Sequence, residues 1–299
     1  MFVRMHRRTA LGLFSAVPAA FAAGACQRTE PQAMSSETKQ ESKPAAKMPV
    51  IFIAHGAPIL MDDAGWVSEL SAWGGALPKP RAVLMLSAHW DKRPATLGAT
   101  RTVPLYYDFY GFPEKYYQVT YPAPGAPALA ARVKELFAAR SLPVNDSERG
   151  LDHGAYVPLL CMYPNADVPV LQLSLPGLDP KELFELGQRL APLRDEGVLI
   201  VGSGFLTHNM RFAFRAPTPA WATEFDDWAG GVLARRDTDS LVDFMQRGPA
   251  AATALPTTEH FVPVIVAAGA AEGGERVTFP ITGFWGGSGA FTRRSVQFG

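Results

Sequence analysis

Six histidines punctuate the chain, and five of them, His55, His89, His153, His208 and His260, fall where an open α/β fold gathers its ligands. His55 closes the apolar run VIFIAH and is followed by Gly56; His89 closes AVLMLSAH. His208 follows the run VLIVGSG after the short link Phe205-Leu206-Thr207. Ligand sites in open α/β sheets lie beyond the carboxyl ends of the strands, so these three imidazoles are expected to meet in one crevice. His153, in LDHGAYVPLL, and His260, in TEHFVPVIVAAGA, each stand near an expected helix start. A single histidine beside a strand end is ordinarily a hydrogen-bonded structural residue. Five such positions, with none left on a solvated face, point to a shared site. Neutral imidazole binds zinc, iron, copper and nickel, and a free one moves protons near neutral pH. The spacing matches neither a zinc finger nor the His-Glu-x-x-His of helical metalloproteases, so the residues alone indicate a metal centre and leave the metal open.

The elements that must carry these residues are readable as alternating runs. Strands are expected at Val50–Ala54, Ala82–Ala88, Val168–Leu173 and Val198–Gly202, each a short and nearly continuous apolar run suited to burial on both faces. Helices are expected over Ala126–Arg140, Asp179–Leu193, about Trp221–Arg235 and about Glu259–Gly269. The alternation implies an α/β single domain, with a central mostly parallel or mixed sheet covered by helices on both faces. That domain is expected to occupy residues 48–299.

Composition narrows the function from the other side. The 28 basic and 28 acidic side chains balance, and 47% of residues are hydrophobic, so the chain has a core and no basic footprint for nucleic acid. Two cysteines make neither a disulfide framework nor a cysteine-rich zinc module. Residues 1–25 are expected to be a signal peptide: Arg4, Arg7 and Arg8 precede the apolar stretch Leu11–Ala25, which is too short to span a bilayer. The pair Arg7-Arg8 resembles a twin-arginine export signal, which engages the machinery that moves folded proteins. Ala23-Gly24-Ala25-Cys26 resembles a bacterial lipoprotein cleavage box, with Ala23 where leucine is more usual. Residues 26–47 lack aromatic, Leu, Ile and Val side chains and read as a flexible tether, anchored to a membrane if Cys26 is lipidated. A periplasmic or cell-envelope location follows as an expectation. Cys161, inside an apolar run, is expected to be an inert buried thiol.

At the histidines the sequence resembles the DODA-type (LigB-like) branch of the class III extradiol ring-cleavage dioxygenases, the family of the protocatechuate 4,5-dioxygenase catalytic subunit. The matching pieces are IAHGAP, LSAHW, YDFYGFPEKYYQVTYPAPG, LDHGAYVPLL, VGSGFLTHNM and TEHFVPVIVAAGA, in the family's order over most of the chain. The resemblance implies that His55, His89 and His260 are metal ligands, with Glu259 beside His260 as a competing carboxylate. It implies that His208 either approaches the metal or acts as a base in the cleft, and that His153 is an acid/base histidine. It further implies a small, DOPA-like catechol and O₂ as substrates and one divalent ion, Zn or Fe(II), as cofactor. Because zinc has no redox chemistry, ring cleavage calls for Fe(II). The alternative is an exported zinc-binding or small-molecule-binding lipoprotein on the same scaffold, without oxygenase activity. A metal-dependent hydrolase is disfavoured by the lack of a carboxylate-rich second metal site.

Around these histidines, Tyr106, Tyr107, Phe109 and Tyr110 are candidates either for a pocket wall or for loop packing. Asp108 either orients a neighbour or caps a turn. Trp90 and Phe205 are expected at the wall by adjacency to His89 and His208. Asn209 is either a supporting polar group or a backbone cap.

Overall fold

In the computed structural model the described residues are 47–213, 216–287 and 289–299. The expected signal peptide, most of the tether and Cys26 lie outside them. The chain runs β1 (Val50–Ala54), α1 (Ala64–Ala76), β2 (Ala82–Ser87), β3 (Ala95–Leu97), α2 (Pro127–Ala138), β4 (Val144–Asp146), α3 (His153–Met162), β5 (Val170–Gln172), α4 (Pro180–Leu190) and β6 (Val198–Gly204). It continues through α5 (Ala220–Arg235), three short helices α6 (Thr238–Val242), α7 (Phe244–Arg247) and α8 (Ala251–Ala254), then α9 (Val262–Ala270), β7 (Val277–Ile281) and β8 (Ser295–Phe298).

Six strands form one sheet in the order β5-β2-β6-β1-β8-β7. The first four are mutually parallel, while β8 runs antiparallel to β1, and β7 antiparallel to β8. The sheet is therefore mixed, and β3 and β4 pair separately. Alternation along the central strands explains why they read as unbroken apolar runs. Val50, Phe52, Leu84 and Ile200 face one core with α2, α4, α5 and α9, whereas Ile51, Ile53, Val83, Met85, Leu199 and Val201 face another with α1 and α3. Both faces are covered, as the alternation of elements predicts.

Several boundaries differ from expectation, two of them because of a proline. The helix expected to Leu193 leaves the α geometry after Leu190, and Ala191–Arg194 forms a tighter turn holding Pro192, which has no amide hydrogen to continue the ladder. The last long helix begins at Val262 rather than near Glu259 because Pro263 is tolerated only in a first turn. That delay leaves Glu259 and His260 in the preceding loop. The strand expected over Val168–Leu173 pairs only at Val170–Gln172. Helix α1 was not foreseen: Asp63 caps it by accepting from the Trp66 amide (3.0 Å), and Gly74 lets it approach the Met162 carbonyl, where a Cβ would stand at 2.7 Å.

Candidate active site

Each histidine leaves a different element and all five reach one cleft. His55 follows β1 directly, with its amide donating to the Gly204 carbonyl at the end of β6 (3.3 Å). His89 sits in the turn after β2, where the Ser87 hydroxyl accepts from its amide (3.2 Å). His153 is the first residue of α3, which Asp152 caps by accepting from the Ala155 amide (3.1 Å). His260 is held against the end of β6 by its carbonyl, which accepts from Phe205 (2.9 Å). His208 lies in the loop after β6 and donates its amide to Ala254 (2.9 Å).

Within that cleft one ring nitrogen from each of His55, His89 and His260 lies within 4.8 Å of the others. The Nε2 atoms of His55 and His89 are 3.1 Å apart. Hydrogen-bond partners fix which nitrogens face inward. The Ser203 hydroxyl donates its only proton to the Gly154 carbonyl, so it must accept from Nδ1 of His55 (2.9 Å). Nδ1 of His260 donates to the Glu259 carboxylate (3.0 Å), and Nδ1 of His89 is 3.5 Å from Asp108 Oδ2. At His55 and His260 these bonds place the hydrogen on Nδ1 and leave Nε2 with a lone pair, and the nearby Asp108 carboxylate favours the same tautomer at His89. Two such lone pairs 3.1 Å apart repel unless a cation lies between them. Engaging the outer ring nitrogen while leaving the inner one bare is the usual preparation of a histidine ligand. Burial, together with the neighbouring imidazoles, holds His55, His89 and His260 well below the usual histidine range, and burial lowers His208 to about 4. All four are neutral near pH 7.

His153 stands opposite with ring centroids 4.0 Å from His89. Asp108 Oδ1 accepts from both its Nδ1 (2.8 Å) and its amide (3.0 Å), leaving Nε2 free. Burial acts to raise the Asp108 carboxyl, and the bonds from His153 more than offset it, so Asp108 titrates below the ordinary carboxylate range. His208 stacks on His260 with centroids 3.5 Å apart, and it groups with Glu259 and His260 rather than with His55 and His89. Gly154 closes the back wall: a Cβ there would stand 2.5 Å from Ser87 Oγ and 3.2 Å from His55 Nδ1.

The cleft encloses about 230 Å³. Apart from the histidines its wall is apolar, built from Phe109, Phe112, Phe205, Met210, Trp285 and Phe291 with Ala57 and Pro58. Of the aromatic loop, Phe109 alone among the four candidates lines it. Tyr110 is 91% exposed, and Tyr107 donates to the Val119 carbonyl (2.6 Å). Trp90 is not at the wall; its ring lies against the Arg149 guanidinium instead (4.9 Å). Asn209 caps a turn, accepting from Arg211 (3.0 Å) and donating to Thr253 (2.7 Å). Cys161 is buried, and desolvation raises its thiol to about 11. Ser203, Phe112, Met210, Trp285 and Phe291 were not singled out in the sequence, since nothing local marks them.

Comparison with known proteins agrees with this geometry. Residues 49–284 match the family model described as the catalytic LigB subunit of aromatic ring-opening dioxygenase. A 4,5-DOPA dioxygenase extradiol of Escherichia coli K12 is 37% identical over 85% of this chain and 96% of its own length. A second, from Beta vulgaris, is 42% identical over 74% of this chain and 85% of its own. The crystal structure of an uncharacterized Escherichia coli K12 protein superposes with a TM-score of 0.71 at 35% identity, covering 85% of this chain and all of that one. A family match across both cores and all five cleft histidines leaves one assignment: the chain belongs to the extradiol aromatic ring-opening dioxygenases.

Proposed function

We propose that the protein opens the ring of a small, DOPA-like catechol with O₂, using one divalent ion held by Nε2 of His55, His89 and His260. The observation that carries this reading is the convergence of three neutral imidazoles, two of them with the outer nitrogen already hydrogen-bonded, facing a fourth whose Nε2 is free across the cleft. The 4,5-DOPA dioxygenase relatives support the diol as substrate class. Fe(II) at this site would supply Lewis acidity toward the two ring oxygens and an electron path to O₂, whereas zinc would supply only the first.

The remaining work falls to side chains of this chain. Phe109, Phe112, Phe205 and Phe291 enclose a planar ring and keep bulk water from it. His153 Nε2 takes a hydroxyl proton from the diol, while Asp108 holds the ring orientation and faces the imidazolium that results. His208 belongs to the substrate side of the cleft, because it shares no donor set with His55 and His89. Both oxygen atoms of O₂ end in the ring-opened product as one carbon–carbon bond beside the diol breaks.

Anaerobic loading with Fe(II), then addition of L-DOPA or catechol and O₂, is expected to consume oxygen and give a yellow ring-opened product. Zinc-loaded protein is expected to consume none. Absence of oxygen uptake with every catechol tried would refute the reading and favour a binding role. Export is part of the same proposal: replacing Arg7 and Arg8 together by Lys is expected to trap the protein in the cytoplasm, as read by cell fractionation.

A further inference from the structure

We infer that Arg149, which does not line the cleft, is the positioning residue that fixes His89 and His153 relative to each other. Its guanidinium meets three separate segments. Nη2 donates to the main-chain carbonyl of His89 (3.2 Å), and Nη1 donates to Asp152 Oδ2 (2.9 Å). The planar group also lies against Trp90 (4.9 Å to the ring centroid) and Tyr106 (4.2 Å). Each segment delivers a group to the site: the turn carries His89, the cap carries His153, and the loop of Tyr106 carries Asp108 two residues on.

The Asp152 end is built to hold a fixed geometry. Its side chain is fully buried, its Oδ1 caps α3 at the Ala155 amide, and Gln172 Nε2 donates to its Oδ2. The Asp152 amide in turn donates to Gln172 Oε1 (3.3 Å), so the cap is held from both sides of the residue. A buried carboxylate so bonded cannot drift, and Arg149 transmits its position to the His89 main chain 3.2 Å away. The arrangement needs a guanidinium. Lysine carries the charge, but its ammonium has no planar face to stack between two rings and no rigid fork to hold both acceptors at fixed angles.

This inference rests on the roles proposed for His89 and His153, so the test carries both controls. With catechol and O₂ as probes and the Fe(II)-loaded protein, Arg149→Lys is expected to lower kcat by roughly 10- to 100-fold while KM stays within about twofold, the scale seen when partners that orient ligands are removed. Zn(II) affinity of the metal-free protein, which does not depend on turnover, is expected to fall about tenfold in the same variant. Tyr106→Leu removes one half-exposed face of the stack, leaves folding intact and is expected to lower kcat in the same direction by a smaller factor. Wild-type kcat and Zn(II) affinity in folded Arg149→Lys would overturn the inference. So would a loss matched by the unfolded fraction in a thermal melt, which marks a merely structural role, or, should Arg149→Lys not fold, an unchanged kcat in Tyr106→Leu. If His89→Ala keeps its zinc and His153→Ala keeps its kcat, the functional reading itself has failed and the inference falls with it.

Discussion

Replacing Asp108 by Asn tests the proton-transfer arrangement at its most exposed joint. Asp108 Oδ1 accepts from His153 Nδ1 at 2.8 Å and from the His153 amide at 3.0 Å, and the carboxylate is only 11% exposed. When His153 takes a proton, the imidazolium faces this carboxylate. A unit charge pair at about 4 Å interacts by about 4 kcal/mol at an effective dielectric of 20. An asparagine oxygen can still accept both bonds, and its dipole recovers part of the charge interaction, leaving a net loss of about 2–3 kcal/mol. At 1.36 kcal/mol per tenfold this corresponds to a kcat lowered about 30- to 150-fold. KM is expected to hold, because Asp108 does not line the cleft. The measurement is steady-state oxygen uptake at saturating Fe(II), with bound iron quantified on the same samples. A kcat within twofold of wild type at full iron loading would refute the reasoning that His153 works against an oriented carboxylate. Loss of iron in place of loss of rate would move Asp108 into the ligand set with His89.

Further outcomes follow for the cleft histidines and for one ion pair outside the cleft. His55→Ala, His89→Ala and His260→Ala are each expected to reduce bound ion to below about a tenth of a mole per chain after dialysis, as atomic absorption would read, since a three-ligand site does not survive loss of one. His153→Ala is expected to keep the ion and lose about 10²- to 10⁴-fold in kcat, while His208→Ala is expected to keep the ion and raise KM. Away from the cleft, Arg194 is 1% exposed and pairs through Nη1 (2.9 Å) and Nη2 (2.6 Å) with Glu275. Burial pushes the Glu275 carboxyl up, but its bonds to Arg194 outweigh this and hold it below its usual 4.5. A carboxylate depressed in the folded state stabilises above its unfolded value and loses that contribution as pH falls through the folded one. Glu275→Gln is therefore expected to cost about 1.5–3 kcal/mol at pH 7, with the gap to wild type in denaturant melts closing below pH 4.5. A gap constant down to pH 3 would contradict it.

Strands β1, β2 and β6 were readable because burial on both faces leaves an apolar run that no loop imitates. Strands β7 and β8 were not. Val277–Ile281 is a partly exposed edge containing Pro280, and Ser295–Phe298 is four residues with a glutamine inside. Helix α1 hid behind Gly65, Gly74 and Gly75, of which Gly74 alone serves close packing, against Met162. The five histidines were found because strand ends converge by topology, which sequence carries. Which aromatic of Tyr106, Tyr107, Phe109 and Tyr110 enters the cleft depends on how Asp108 pins its loop, a contact 45 positions long-range. Ser203 was invisible for the same reason: its role comes from His55 and Gly154, both distant in sequence. Adjacency misled at Trp90, whose buried ring lies against a guanidinium away from the cleft wall.

The three proposed donors come from three elements near opposite ends of the folded region, with His55 after its first strand and His260 before its last long helix. No contiguous stretch of chain carries the set, and an unfolded chain offers only single imidazoles far apart. Ion binding is consequently coupled to the entire fold: at a free concentration one hundred times the dissociation constant it adds about 2.7 kcal/mol to stability. A melting curve of this protein is thereby also a titration of its surroundings. Two preparations of identical sequence will differ in thermal midpoint by the trace metal each has met.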